Sequence, residues 1–160
     1  MQYDIESIYK AYYKDVYRYV QFISFDKQAT EDVVQNTFLK AMQGIAGFRE
    51  QSSLKTWLLT IARNESIRYA QKQKKYTEPI SEELVSSINI ENIACNHEST
   101  AQVISFIKNC TEPKRSLMIL RLIDEMSFVE IGTVLEKSDT WCRVTFLRAK
   151  NELLKQLEGE

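Results

Sequence analysis

Residues 54–76 concentrate the side chains best suited to bind a polyanion. This segment holds six lysines and arginines against one glutamate, and a short polar loop, residues 46–53, precedes it. The cations can contact phosphates, Asn64 can hydrogen-bond a base edge, and Trp57 offers an aromatic surface. Holding a base that has left the duplex stack relies on groups of these kinds. The pattern therefore predicts a DNA-binding surface made by the loop and by Lys55, Arg63, Asn64 and Arg68.

Two features of this segment also have ordinary structural explanations. Trp57 has helical spacing with Leu54, Leu58 and Ile61, so we expect it to be a core residue rather than a stacking platform. The lysines after Arg68 could form only a solvated face, but their position favours phosphate contact. They are Lys72, Lys74 and Lys75.

The next segment, residues 77–112, has the opposite charge. It holds six glutamates against one lysine, so the formal net charge of the whole chain is only −1. That balance argues against a histone-like cationic protein. Residues 77–99 also contain Pro79 and lack a sustained helical period, so they are predicted to be an acidic, flexible linker.

Apolar spacing of three and four residues predicts an all-α fold for most of the remaining chain. The expected helices cover residues 3–25, 31–44, 53–73, 101–108, 113–124, 127–135 and 138–157. Thr30 is a plausible N-cap of the second helix, which should end at Gly44 or shortly after. The apolar residues on the inner face of that helix are Val33, Val34, Phe38, Leu39 and Met42.

The last two predicted helices match a helix-turn-helix unit. Ser127 and Glu130 have capping-box spacing, and residues 136–138 interrupt the helical pattern before a longer helix that carries cations. Gly132 fits a close approach between the two helices.

The sequence contains few residues in patterns that would support catalysis. The sequence has one histidine and three widely spaced cysteines, so the pair Cys95 and His97 lacks further metal ligands nearby. We expect no catalytic residues, no metal and no cofactor. A stand-alone helix-turn-helix regulator remains the alternative function, and a small helical hydrolase is a remote third.

Three motifs in fixed order give the chain a recognisable pattern. They are EDVVQNTFLKAM at residues 31–42, FREQSSLKTWLLTIARN at residues 48–64, and SFVEIGTVLEKSDTWCRVTFLRAKNELLKQL at residues 127–157. With them the chain resembles the extracytoplasmic-function (ECF) sigma factors of the sigma-70 family, the promoter-specificity subunits of bacterial RNA polymerase. The resemblance implies a region 2 helical bundle at residues 1–76, a linker at residues 77–99 and a region 4 helix-turn-helix domain at residues 100–160.

The resemblance also implies the roles of individual residues. Core polymerase would be bound through Asp32, Gln35 and Phe38, with Leu39 mostly packing inward and Asn36 standing where the family usually has an acidic residue. The −10 element would be read by the loop and third helix, through Phe48, Ser52, Lys55, Arg63, Asn64 and Arg68. The −35 element would be read by the helix-turn-helix at residues 127–150, through Arg143, Val144, Leu147 and Arg148.

The partners implied by the resemblance are core RNA polymerase, promoter DNA and an anti-sigma factor. In this family the anti-sigma factor is often membrane-anchored, and it can hold the sigma factor at the membrane. The chain itself has no apolar run of membrane-spanning length and no secretory signal at its N-terminus, so we expect a cytoplasmic protein without direct membrane insertion. The expected function is that of an alternative sigma factor.

Overall fold

The described part of the chain is built from α-helices. The computed structural model describes residues 3–73 and 97–159, and within these ranges it contains helices, one 3₁₀ turn and no strand. The chain divides into two compact units, with the division between residues 78 and 79. The all-α prediction is confirmed.

The first unit is a bundle of three helices that pack pairwise on one another. They are α1 (Ile5–Ser24), α2 (Lys27–Gly44) and α3 (Leu54–Lys72), with the 3₁₀ turn Ile45–Gly47 after α2. Tyr19, Phe22, Leu58 and Leu59 are fully buried in its core. The predicted end of α2 at Gly44 and the predicted extent of α3 are confirmed.

The predicted start of α2 at Thr30 is wrong. The helix begins at Lys27, and Asp26 is its N-cap, accepting hydrogen bonds from the backbone N–H groups of Gln28 and Ala29. Thr30 lies one turn inside the helix and is completely buried. Its hydroxyl donates to the Asp26 carbonyl at 2.7 Å. Both residue types favour N-cap positions, but the buried Thr30 bonds back to the preceding turn, which leaves the cap to Asp26.

The prediction that Leu39 and Met42 face inward is also wrong. Leu39 is 45% exposed and Met42 is 50% exposed. Small and β-branched residues, together with Phe38, make up the buried face of α2. Leu39 and Met42 lie at the edge of that face. The residues on that buried face are Ala29, Thr30, Val33, Val34, Thr37, Phe38 and Ala41.

The second unit contains four helices in its described part. They are α4 (His97–Asn109), α5 (Lys114–Leu122), α6 (Phe128–Leu135) and α7 (Asp139–Gly159). Helix α4 begins at His97, four residues before the predicted start at Ala101. The prediction started late because the first turn, HEST, contains no apolar residue that would reveal the helical period. Residues 77–96 of the predicted linker lie outside the described residues.

The turn between α6 and α7 has the predicted helix-turn-helix features. The Ser127 hydroxyl accepts from the Glu130 backbone N–H at 3.1 Å, and the Glu130 carboxylate accepts from the Ser127 N–H at 3.0 Å, which completes the capping box. After α6, the Lys137 N–H donates to the Gly132 carbonyl at 3.0 Å. A Cβ at Gly132 would lie only 2.5 Å from the Lys137 carbonyl oxygen. The backbone of the turn therefore packs so closely on α6 at this position that only glycine fits without a shift.

Removal of the α6 cap should destabilise the second unit. Ser127→Ala is expected to cost about 1 kcal/mol of unfolding free energy, because it deletes the acceptor for one helix N–H and the partner of Glu130. Urea unfolding followed by circular dichroism measures the change. Ser105→Ala is the matched control, because Ser105 is exposed within α4 and alanine is a good helix former. Equal destabilisation by the two variants would contradict the capping role.

Candidate functional site

The first candidate surface is an apolar groove between α1 and α2, of about 520 Å³. Phe38, 7% exposed, forms its floor, and the Phe38 ring meets the Tyr9 ring edge-on with centroids 4.9 Å apart. Tyr9, Leu39 and Met42 are large apolar side chains at its exposed edge. The complete lining is Ile5, Glu6, Tyr9, Tyr13, Glu31, Val34, Gln35, Phe38, Leu39 and Met42.

The residues predicted to bind polymerase occupy this groove only in part. Gln35 and Phe38 line it, whereas Asp32 does not. The Asp32 carboxylate instead accepts a hydrogen bond from the Gln28 side-chain amide at 3.1 Å. Sequence reasoning missed Tyr9, Leu39 and Met42 as surface residues. The signal for the last two was present, since the apolar positions of α2 span a wider arc than one buried helix face needs.

The second candidate surface is the loop before α3, which a cluster of aromatic rings supports. The Phe48 ring lies 5.1 Å from the Trp57 ring and 5.6 Å from the Tyr3 ring, measured between centroids. The Tyr3 hydroxyl donates a hydrogen bond to the Glu50 carboxylate, which raises the pKa of that tyrosine. Trp57 is half-buried. It packs against Phe48 but is not part of the buried core, so the prediction of a core residue holds only in part. The contacts with Tyr3 and Trp57 hold the loop at Phe48 and Glu50.

The predicted −10 residues on α3 do not form one continuous patch. Lys55 contacts Asp15 on α1, with 4.0 Å between the ammonium nitrogen and a carboxylate oxygen. Asn64 lies nine residues after Lys55 and therefore points to the opposite side of α3, about 180° away. Arg68, four residues after Asn64, lies on the same side as Asn64. Asn64 and Arg68 are exposed, while Arg63 is half-buried. Ser52 lies half-buried in the loop, and Lys72 is exposed near the end of α3; Lys74 and Lys75 lie outside the described residues.

A buried carboxylate connects α2 and α3 close to this surface. Glu65 is 7% exposed, and its carboxylate lies 3.2 Å from the Arg68 guanidinium and 3.9 Å from the Lys40 ammonium. These three side chains line a second pocket of about 320 Å³, together with Lys72 and Tyr69. Sequence reasoning missed Glu65. Its spacing with Leu58 and Ala62 on the inner side of α3 was the available signal.

The third candidate surface is the outward face of α7. Arg143, Val144, Leu147 and Arg148 are all exposed there, as the resemblance implied. The opposite side of the helix is buried through Cys142, Ala149 and Leu153. All four predicted −35 residues therefore lie on one accessible face of α7.

An arginine in the second unit fixes the start of α6 against α7. The Arg121 guanidinium lies 4.2 Å from the centroid of the Phe128 ring and 5.9 Å from that of the Phe146 ring. It also donates to the Met126 carbonyl at 2.8 Å. No sequence pattern indicated this arrangement. Cation–π contacts of this kind help to fix α6 against α7.

No metal-binding cluster occurs in residues 3–73 and 97–159, where no three His, Cys, Asp or Glu side chains come together. Cys95 and the His97 side chain, the pair considered as ligands, are not among the described groups. Cys110 and Cys142 are buried and free, and burial raises the pKa of both thiols. None of the helices in the same ranges has the length and apolarity needed to cross a membrane.

Comparison with known proteins identifies the first unit. Residues 8–76 match the family model for sigma-70 region 2. The whole chain is similar to the RNA polymerase sigma factor YlaC of Bacillus subtilis, with 30% identity over 161 residues that cover 96% of this chain and 91% of that protein. It is 27% identical to the ECF RNA polymerase sigma factor SigX of the same organism, covering 99% of this chain and 86% of SigX.

Solved structures show the same fold. CnrH, in complex with the cytosolic domain of CnrY, superposes with a TM-score of 0.72 at 18% identity, covering 98% of this chain and 88% of CnrH. The sigma factor RpoE of Bartonella quintana, in complex with the anti-sigma factor NepR, gives 0.72 at 20% identity with 97% of each chain covered.

A helical bundle of the region 2 type, followed by a helix-turn-helix unit, defines a promoter-specificity subunit of RNA polymerase. The chain belongs to the ECF sigma factors of the sigma-70 family. It is an alternative sigma factor, and the full-length similarity sets aside the alternative of a stand-alone regulator.

Proposed function

We propose that the chain binds core RNA polymerase through the α1–α2 groove and directs promoter recognition, DNA opening and initiation without catalysis of its own. The observation that carries this proposal is the apolar groove on the helix that bears the DVVQ motif. Leu39 and Met42 are exposed at its edge while Phe38 closes its floor. An exposed apolar groove rimmed by polar residues such as Gln35 is typical of a protein-binding surface.

The DNA contacts follow from the other two surfaces. In this proposal the loop that Phe48 anchors against Trp57, with Ser52, receives the −10 strand, and Asn64 and Arg68 contact it from the accessible side of α3. Arg63 and Lys55 would contribute positive charge from the flanks of that helix. Helix α7 would lie in the major groove at the −35 element. The proposed domains are region 2 at residues 1–76, the linker at 77–99 and region 4 at 100–160, with the first turn of α4 beginning inside the linker at His97.

We further propose that an anti-sigma factor regulates the chain in the cytoplasm. CnrH and RpoE share its fold, and both were solved in complex with another protein, the cytosolic domain of CnrY and the anti-sigma factor NepR respectively. The same exposed apolar groove would suit such a competitor, because a protein that covers it excludes polymerase. Holding at the membrane would come from the anti-sigma factor rather than from this chain.

Run-off transcription with bacterial core polymerase across a promoter library tests the function. The expected result is synthesis from a defined subset of promoters that requires both the core enzyme and this chain. Co-purification with core polymerase in the absence of DNA is the companion measurement. A chain that bound DNA alone and did not co-purify would be a stand-alone regulator instead.

Arg143 is expected to carry discrimination at the −35 element. It lies in the first turns of α7, where an arginine reaches base edges, and a bidentate contact contributes about 1–3 kcal/mol. Arg143→Ala should therefore reduce transcription from a cognate promoter roughly tenfold relative to a promoter with a scrambled −35 element.

Lys155→Ala is the matched control, because it removes the same charge from an exposed position near the far end of α7. It should change both promoters equally and only slightly. An equal loss on both promoters for Arg143→Ala would make Arg143 a phosphate contact.

A further inference from the structure

Two apolar side chains stand out on the DNA-facing side of α7. Val144 is 41% exposed and Leu147 is 58% exposed, between the exposed arginines Arg143 and Arg148. Packing of the second unit does not use them, since α7 is buried through its opposite side. Exposed apolar residues at two positions of one otherwise polar face indicate a contact with something outside the fold.

The spacing of this pair fits neighbouring base pairs. Residues 144 and 147 are three apart, so they lie on the same side of α7 and about 4.5 Å apart along its axis. Adjacent bases of one strand are separated by about 3.4 Å along the duplex. In the major groove the apolar group that a base edge presents is the 5-methyl group of thymine. The Arg148 guanidinium next to this pair supplies positive charge for a neighbouring phosphate.

Contacts inside the protein partly restrain the neighbouring arginine. The Arg143 guanidinium lies 3.5 Å from the Asp139 carboxylate and 5.7 Å from the centroid of the Phe128 ring. Asp139 lies one turn before Arg143, so these contacts place the guanidinium towards the N-terminal end of the face. Readout at the middle of the face then depends on Val144 and Leu147.

We propose that Val144 and Leu147 are specificity-determining residues that read thymine methyl groups in the −35 duplex. The inference rests on the proposed function and deepens it, because it names the base that this face prefers. The apolar pair would lie against the major groove of B-DNA. The selected −35 elements should contain thymine, on either strand, at one or two adjacent base pairs opposite the middle of α7.

Replacement of thymine by deoxyuridine tests the proposal, since it removes only the methyl group. Holoenzyme made from the full chain and bacterial core polymerase first selects promoters from duplexes randomised at the −35 region. The enriched duplexes are then remade with deoxyuridine at single thymines, and binding is measured by competition. Loss of one buried methyl contact should weaken binding roughly fourfold.

Variants turn this comparison into a double-mutant cycle. Leu147→Ala and Val144→Ala should each weaken the thymine duplex and abolish the difference between thymine and deoxyuridine at one position. Val129→Ala is the matched control, because Val129 is an exposed valine that lies on α6 rather than on α7. It should retain the full methyl effect.

The outcomes separate this inference from the proposed function. Enrichment of a −35 element without any penalty for deoxyuridine overturns the methyl readout and leaves the sigma-factor proposal standing. A penalty that persists unchanged in Leu147→Ala and Val144→Ala also overturns it. Failure to enrich any −35 element removes both. Self-association through this face, lost in Leu147→Ala without a methyl effect, would assign the pair to a second copy and overturn the inference.

Discussion

Leu39→Asp is expected to weaken binding of core polymerase roughly 30-fold or more. The side chain stands at the exposed edge of the α1–α2 groove, where an aspartate would bring an unpaired charge into the apolar contact. Affinity for core polymerase, measured by surface binding or fluorescence anisotropy without DNA, gives the result directly. Transcription should fall in parallel, because promoter recognition by the proposed mechanism requires the holoenzyme.

The control for this variant is Ala11→Asp, which introduces the same residue at an exposed position of α1 outside the groove. It should leave the affinity for core polymerase within about twofold, since surface substitutions away from an interface have small effects. Melting curves check that both variants remain folded. Unchanged affinity in a folded Leu39→Asp protein would place the polymerase contact elsewhere in the first unit.

Gly132→Ala should destabilise the second unit by up to about 2 kcal/mol. Alanine improves helix propensity by about 1 kcal/mol, but its Cβ would lie 2.5 Å from the Lys137 carbonyl oxygen, and overpacking costs about 1–3 kcal/mol. The backbone cannot yield easily because the Lys137 N–H is bonded to the Gly132 carbonyl. We expect the steric term to win.

Thermal unfolding of the full chain measures this effect, and a domain of this size loses about 4–8 °C per kcal/mol. Gly47→Ala is the matched control, because a Cβ at Gly47 would have no neighbour within 4 Å. A melting temperature that rises in Gly132→Ala would show that helix propensity, rather than the close turn, controls this position.

Much of the fold was predictable from the sequence, because helix caps and helix ends depend on residues only a few positions apart in the chain. The Ser127–Glu130 capping box and the end of α2 at Gly44 were both predicted from adjacent residues. The start of α2 was not, because Asp26 and Thr30 are both good caps and only the packed structure decides between them. The predicted start of α4 was four residues too late because its first turn contains no apolar residue that periodicity could detect.

The candidate surfaces were harder to predict, because they depend on what packs against each helix. Spacing placed Leu39 near the inner face of α2, and only the packing of α1 and α3 shows that it lies at the edge of that face. The Arg121 contact with Phe128 joins two elements that no local pattern connects. In contrast, the resemblance implied a shared surface for Arg143, Val144, Leu147 and Arg148, and all four are exposed on α7. Their contact with the −35 element stays a prediction.

The shared carboxylate of Glu65 has a consequence for how this protein can diverge. Lys40 on α2 and Arg68 on α3 contact the same group, so each substitution alters the setting in which the other acts. Their free-energy effects should be epistatic rather than additive. A change at either position therefore limits which substitutions are tolerated at the other, which couples the helix proposed to bind polymerase to the helix proposed to bind the promoter.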